Sequence, residues 1–290
     1  MRFADDFKDY ELIDAEGGQR LERWKDILLI RPDPQVIWHS DRKDQRWENA
    51  HAVYHRSNSG GGYWETLKSV PDVWSVNYRN LTFRLKPMGF KHTGLFPEQA
   101  VNWSFAADKI KNAERKISVL NLFAYTGGAT LACLEAGASV THVDASRGMV
   151  QWAKENANAC GLSGKSVRWL VDDCLKFVRR EIRRGNKYDA IIMDPPSYGR
   201  GPNGEVWKLE QQINELLCET GKLLSDDPLF FILNSYTGGL SPTILNYMVR
   251  TLVAANGKGK VFTDEIGLKI SARDIVMPCG NTTIWTNDGN

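Results

Sequence analysis

Hydrophobic positions change their rhythm along this chain, and the change divides it. Up to about residue 95, short apolar runs such as Asp26-Ile-Leu-Leu-Ile-Arg31 and Gln35-Val-Ile-Trp38 are punctuated by Pro32, Pro34 and Gly60-Gly-Gly62. Leu81-Thr-Phe-Arg-Leu-Lys86 alternates with period two. Strands keep that period because successive side chains point to opposite faces, while proline and glycine mark the turns between them. The pattern predicts a small, mostly β module over residues 1–95. Trp24, Trp38, Trp47, Trp64 and Trp74 crowd it. Such rings either fill the core of a small domain or stack on nucleobases.

From residue 96 onward, helical and strand patterns alternate. Helices are expected near Pro97 to Asn112, Ala129 to Glu135, Met149 to Cys160, Leu175 to Arg184 and Val206 to Leu224. Strands are expected at Ser118 to Leu122, Ser139 to Val143, Val167 to Val171, Tyr188 to Met193, Leu229 to Leu233, Lys260 to Thr263 and Thr282 to Thr286. Successive βα units build a mostly parallel sheet covered on both faces, so residues 96–290 are expected to form an α/β, doubly wound, Rossmann-like domain. Ligands of such sheets lie beyond the carboxyl ends of the central strands. Polar or small-residue segments fall at those ends: Asn121 through Gly128 closes the first strand, Asp144 the second, Asp172-Asp173 the third and Asp194-Pro-Pro-Ser197 the fourth.

Composition narrows the class without choosing the chemistry. A chain of 290 residues that is 42% apolar can bury one large α/β core with a smaller module beside it. Met1-Arg-Phe-Ala-Asp-Asp6 opens with charges, and no apolar run approaches the roughly 20 residues of a membrane span. A soluble, cytoplasmic protein with no membrane partner is expected. Cys133, Cys160, Cys174, Cys218 and Cys279 are scattered and never in C-x-x-C spacing. Neither a disulfide framework nor a metal site is predicted. The net charge of +2 is too small to demonstrate a nucleic-acid partner. The basic signal is local: Arg179, Arg180, Arg183, Arg184 and Lys187 at helical spacing, and Lys109, Lys111, Arg115 and Lys116 before the first strand. Either cluster is also what a solvated helix face looks like.

The strand-end residues carry the chemistry. Val119-Leu-Asn-Leu-Phe-Ala-Tyr-Thr-Gly-Gly-Ala-Thr130 is a strand running into a small-residue turn and a helix. Backbone N–H groups at that helix start can face a carboxylate or phosphate. Asp144, with Ala145 and Ser146 beside it, can accept from both hydroxyls of a ribose; capping the helix near Ser146 is its other use. Asp173, next to Cys174, or else Asp172, can accept from an adenine amino group, leaving the other as a helix cap. NAD-binding domains also pair a glycine turn with an acid about 20 residues on. Here, however, the turn holds only Gly127-Gly128, and the bulky Phe123 and Tyr125 fill the approach a pyrophosphate needs. A sulfonium amino acid fits better, which points to S-adenosylmethionine (SAM) as cofactor. In Asp194-Pro195-Pro196-Ser197 the prolines stiffen the loop, so that a backbone carbonyl and a carboxylate can orient an amino or ring nitrogen for attack on a methyl group. A rigid turn without that role is the alternative.

At these residues the chain resembles the class I SAM-dependent methyltransferases, and within them the bacterial large-subunit ribosomal-RNA methyltransferase group, over about residues 75–290. Lys91-His-Thr-Gly-Leu-Phe-Pro-Glu-Gln99 is similar to that group's K-T-G-x-F-x-D-Q-R element. The resemblance implies that Phe96 and Gln99 contact the cofactor. It also assigns Asn121, Phe123, Tyr125, Thr126 and Gly127 to the methionine end of SAM, Asp144 to its ribose and Asp173 to its adenine. The chain departs from the group in three places. Ala100 replaces the arginine after the glutamine, so the role of that side chain is lost or supplied elsewhere. Ser197 and then Tyr198 follow the prolines, where amino-nitrogen methyltransferases place an aromatic residue first. Ser235, in Leu233-Asn-Ser-Tyr-Thr-Gly-Gly239, stands where relatives acting on carbon 5 of cytosine carry a cysteine nucleophile. An unactivated hydroxyl is a poor substitute for a thiolate, so no covalent carbon-5 mechanism is expected unless Cys174 supplies the thiol.

The expected function is direct methyl transfer from SAM to a nitrogen of ribosomal RNA, with Asp194, Pro195, Pro196 and Ser197 positioning the acceptor. The β module and the Arg179 to Lys187 face would hold the RNA. The rival readings are methylation of a small molecule or protein, and an RNA-binding protein that has lost turnover.

Overall fold

The computed structural model describes residues 1–42, 44–57, 61–200, 206–254 and 259–287. They form two compact units: Phe3–Ala100 with Gly267–Cys279, and Met1–Arg2 with Val101–Ile266 and residues 280–287.

The first unit is built on strands β1 (Tyr10–Glu16), β2 (Gln19–Trp24), β3 (Ile27–Pro32), β4 (Ala52–Arg56) and β5 (Gly62–Thr66), which neighbour one another in chain order. A separate antiparallel hairpin joins β6 (Trp74–Tyr78) to β7 (Leu81–Leu85). Ile13, Leu21, Ile30, Trp47 and Ala50 pack together in the interior. The tryptophans serve this unit's packing. Trp24, Trp47 and Trp74 are buried, while the half-buried Trp38 and Trp64 donate their indole N–H groups to the carbonyls of Ala15 at 2.8 Å and Met88 at 2.9 Å.

Gln35 to Trp38, expected as a strand, is an irregular segment. Pro32 and Pro34 withhold two ladder donors, and Asp33 accepts from the Gln35 N–H at 3.0 Å to turn the chain. The segment then folds over the β1–β2 turn, where the carbonyls of Val36 and Trp38 accept from Gly18 and Gly17 at 2.8 and 2.9 Å.

The second unit runs α1 (Ala100–Asn112), β8 (Ser118–Leu122), α2 (Gly128–Glu135), β9 (Ser139–Asp144), α3 (Arg147–Ala159), β10 (Val167–Val171), α4 (Cys174–Arg183) and β11 (Ala190–Met193). It continues with β12 (Tyr198–Arg200), β13 (Val206–Lys208), α5 (Leu209–Gly221), β14 (Phe230–Ser235), α6 (Pro242–Leu252), β15 (Lys260–Ile270) and β16 (Ile275–Thr286). Its strand order is β10-β9-β8-β11-β14-β16-β15. The pairs β8/β9, β9/β10, β8/β11 and β11/β14 are parallel, and β16 is antiparallel to β14. The direction of winding therefore reverses between β8 and β11, opening a crevice at their carboxyl ends. Every residue of β11 and β14 is buried, as central parallel strands covered on both faces require. Among the described residues no helix is long and apolar enough to cross a membrane.

Three boundaries differ from expectation. The helix expected over Val206 to Leu224 begins only at Leu209, because Val206–Lys208 is a strand paired antiparallel with β12, Gly199 facing Trp207. The strands expected at Lys260 to Thr263 and Thr282 to Thr286 are the outer ends of longer strands, β15 and β16, each of which contributes residues to both units. Helix α6 lies in a stretch to which sequence patterning gave no element. Its start carries the usual signals: Ser241 accepts from the Ile244 N–H at 3.3 Å and Pro242 opens the first turn.

Candidate active site

The turn after β8 carries three left-handed residues within five positions. Phe123, Tyr125 and Gly127 have φ values of +54, +50 and +91°. A left-handed backbone costs a non-glycine residue roughly 1–2 kcal/mol, so two such residues within three positions need restraint from outside. The Phe123 N–H donates to Cys174 Sγ at 3.3 Å, Ala124 N–H to the Val143 carbonyl at 3.1 Å and Tyr125 N–H to Asp144 Oδ2 at 2.9 Å. Gly127 precedes α2 without any side-chain cap, and Leu131 N–H reaches back to its carbonyl at 2.8 Å. A Cβ on Gly128 would lie 2.5 Å from the Trp103 ring, so glycine is required for that indole to cover the helix start.

Beneath the turn runs a buried polar chain. Asn121 Nδ2 donates to Thr130 Oγ1 at 2.9 Å, and Thr130 Oγ1 lies 2.9 Å from His142 Nδ1. Burial holds the His142 pKa down to about 3, so the ring is neutral. Asn121 is thus buried with one amide N–H donated to α2. Thr126, also buried, accepts through its carbonyl from Asn156 Nδ2 at 2.9 Å.

Asp144 ends β9 with both carboxylate oxygens engaged by backbone donors, Tyr125 N at 2.9 Å and Ser146 N at 2.8 Å. Burial raises its pKa, and the two N–H groups oppose the rise. Each oxygen keeps a second acceptor direction. Ser146 caps α3 through Met149 N–H, and Ala145 and Ser146 are exposed.

The two acids after β10 part company. Asp173 caps α4, accepting from Lys176 N–H at 2.8 Å, whereas Asp172 pairs with Arg180 and donates its N–H to the Asp144 carbonyl at 3.0 Å. Cys174 sits at the junction of three strand-end loops. Its sulfur accepts from Phe123 and its thiol points to the Val143 carbonyl at 3.9 Å, with burial pushing its pKa upward.

At the end of β11, Asp194 N–H donates to the Leu122 carbonyl at 3.4 Å, which brings the fourth loop against the first. Two of the loop's carbonyls are occupied by the chain itself: Pro196 accepts from Trp207 Nε1 at 2.6 Å and Ser197 from Leu209 N–H at 3.1 Å. The Pro195 carbonyl has no hydrogen-bond partner among the described residues.

Asn121 through Gly127, Asp144 through Ser146, Asp172 through Cys174 and Asp194 through Ser197 therefore share one edge of the sheet. Phe96 and Gln99 belong to the other unit, Phe96 with its ring 5.0 Å from His92 and Gln99 buried in the turn Pro97–Gln99. Ser235 is buried at the end of β14 and accepts from Thr237 N–H at 3.5 Å. The basic face of α4 is largely neutralised. Arg179 pairs with Glu215, Arg180 with Asp172 and Arg184 with Glu181, while Lys187 donates to the Lys222 carbonyl, and only Arg183 of the five is unpaired among the described residues.

Thr130, His142, Trp103 and Trp207 were not singled out from sequence. For Trp207 a signal existed: the turn residues Gly201-Pro-Asn-Gly204 lie between Tyr198-Gly-Arg200 and Val206-Trp-Lys208, which reads as a hairpin.

This donor set suits SAM. A helix start without a side-chain cap can take its carboxylate, a half-satisfied carboxylate at a strand end can take its ribose diol, and the mixed polar and apolar edge at Asp172–Cys174 can take its adenine. Comparison with known proteins agrees. Residues 46–233 match the model of the S-adenosylmethionine-dependent methyltransferase family. The chain is 37% identical over 205 residues to the ribosomal RNA large subunit methyltransferase K/L of Shewanella frigidimarina, covering 70% of this chain and 27% of that protein. It thus spans about a quarter of the length of the curated relatives it matches. A crystal structure of the SAM-dependent methyltransferase from Agrobacterium tumefaciens is 34% identical with a TM-score of 0.93, covering 98% of this chain and 92% of that one. A solved structure from Streptococcus mutans shares the fold at 18% identity, with a TM-score of 0.73 over 97% of this chain and 76% of that one.

Proposed function

Because this chain belongs to the S-adenosylmethionine-dependent methyltransferase family, we propose that its methyl acceptor is a base nitrogen of large-subunit ribosomal RNA, methylated by direct displacement. Bound SAM supplies a methyl group made electrophilic by its sulfonium. The residues of this chain have three tasks: to hold that cofactor, to present the nitrogen lone pair in line, and to keep water out.

The first task falls to the turn Phe123–Gly127 and the start of α2 for the methionine end, to Asp144 with Ala145 and Ser146 for the ribose, and to the Asp172–Cys174 segment for the adenine. The observation that carries nitrogen as the acceptor is the accounting at the Asp194–Ser197 loop. With the Pro196 and Ser197 carbonyls taken up by Trp207 and Leu209, the Pro195 carbonyl is left to accept from a substrate N–H, and the Asp194 carboxylate is our candidate for the second acceptor. Two acceptors on an amino group leave its lone pair directed at the methyl carbon, and such alignment is worth several kcal/mol of barrier.

Cysteine chemistry is not needed for this step. Cys133, Cys174 and Cys279 are buried, and burial pushes the Cys133 pKa up to about 12 and that of Cys174 higher still, which keeps both as thiols. Ribosomal RNA as the acceptor is supported by the named activity of the large-subunit relatives. The reaction would belong to residues 96–290 and take place in the cytoplasm, with the β unit of residues 1–95 helping to hold RNA through shape and backbone contacts.

The test is transfer of labelled methyl from SAM to the RNA, protein and metabolite fractions of a strain lacking the gene. Label is expected in large-subunit RNA with the wild-type enzyme and not with Asp194→Ala. Label confined to protein or metabolites would move the acceptor to that class.

A further inference from the structure

We propose that Trp207 is a positioning residue that pins the acceptor loop to the cofactor turn. The sequence alternation of β13 sets this up. Trp207 is paired with Gly199, and a Cβ on that glycine would meet Trp207 Cβ at 3.6 Å and Pro196 Cγ at 4.0 Å, so the indole lies across the start of the loop. Its N–H donates to the Pro196 carbonyl at 2.6 Å, and its ring stands 5.4 Å from that of Phe123, tilted by 48°. Phe123 is the first left-handed residue of the cofactor turn. One side chain therefore touches both functional loops, and Phe123 is in turn held from behind by Cys174.

The consequence is directional. Proline fixes φ at Pro195 and Pro196, so anchoring the Pro196 carbonyl leaves the preceding peptide little freedom, and the Pro195 carbonyl is held in one orientation relative to the turn. Without the anchor the prolines stiffen the loop internally but do not fix it against the cofactor. A displacement of about 1 Å between reacting groups can cost a factor of about 100 in rate. Trp207 makes this contribution through the loop and not by touching a reacting atom.

The activity readout rests on the RNA-methylation reading, so the experiment includes one that does not. In the 15N spectrum of tryptophan-labelled protein, the indole signal missing from Trp207→Phe, or from Trp207→Tyr should the first variant fold poorly, belongs to Trp207. In the wild type that signal is expected to exchange slowly with solvent and to shift on addition of S-adenosylhomocysteine. Trp207→Phe, which keeps a ring on Phe123 but loses the N–H, is expected to bind S-adenosylhomocysteine within about twofold of wild type. Its kcat on ribosomal RNA should fall on the order of tenfold at unchanged KM for SAM. A fast-exchanging indole indifferent to the ligand, or a Trp207→Phe enzyme with full kcat, overturns the proposal. If the wild type methylates no RNA, the substrate reading fails while the indole response still decides the role of Trp207.

Discussion

Asn121, Thr130 and His142 show how single residues divide the work at this site. Asn121, which the resemblance assigns to the methionine end of SAM, donates an amide N–H to Thr130, whose hydroxyl also meets the neutral His142 ring. The three side chains tie β8, α2 and β9 together directly beneath the left-handed turn. Thr130→Val keeps the shape of the side chain but strands the Asn121 amide and His142 Nδ1 without a partner. The expected cost is about 1–3 kcal/mol of stability, read from the denaturant midpoint, together with weaker SAM binding measured by calorimetry. A Thr130→Val enzyme with wild-type stability and affinity would remove this network from the account. The acids at strand ends were legible in sequence because a carboxylate following an apolar run has few structural uses. The Asn121–Thr130–His142 chain was not, because its members are apolar-run or helix residues whose partnership exists only once three elements are packed.

Elements were legible where their period was uninterrupted and obscure where a turn intervened. The alternation of β8, α2, β9, α3, β10, α4 and β11 follows the sequence pattern closely, whereas the strand Val206–Lys208 was absorbed into the helix that follows it. Two prolines and an Asx turn kept Gln35 to Trp38 out of the sheet despite its apolar content. The strands of the first unit also hold a feature that periodicity cannot reveal. Glu22 on β2 accepts from Arg31 at 2.5 and 2.8 Å and from the Tyr10 hydroxyl at 2.8 Å, with Arg20 3.4 Å away, all buried. Burial alone would raise the Glu22 pKa, but Arg20 and Arg31 overcome it and hold it at about 2. A carboxylate depressed on folding adds stability that is complete above its ordinary value of 4.5 and is lost as pH falls toward 2. That contribution is on the order of 3 kcal/mol. Glu22→Gln leaves two buried guanidinium groups short of a counter-charge, so the variant should be less stable at neutral pH by about 3–5 kcal/mol. It should also have a flatter unfolding profile between pH 4.5 and 2. Thermal melts across that range decide it, and a variant as stable as wild type at pH 7 would show the cluster to be energetically neutral.

At the level of the whole molecule, strand order carries most of the functional information. The reversal of winding between β8 and β11 places the four strand-end segments around one crevice, and this was foreseeable because βα connections leave few topologies open. The path of β15 and β16 into both units was not foreseeable, since each strand was visible in sequence only at its outer end. The arginine-rich face of α4, read either as a place for RNA or as a solvated helix face, has Arg179, Arg180 and Arg184 paired with acids of its own surface, so the proposal of an RNA acceptor is argued from the acceptor loop and the relatives. The most direct measurement is therefore nucleoside analysis. Large-subunit RNA from the deletion strain is methylated with labelled SAM by wild type and by Asp194→Ala, digested, and resolved by mass spectrometry. The expected result is label in a single base-nitrogen-methylated nucleoside, absent with Asp194→Ala. Label in 5-methylcytidine or in a ribose-methylated nucleoside, or label that persists in the Asp194→Ala reaction, would contradict a nitrogen acceptor held by the Asp194 loop.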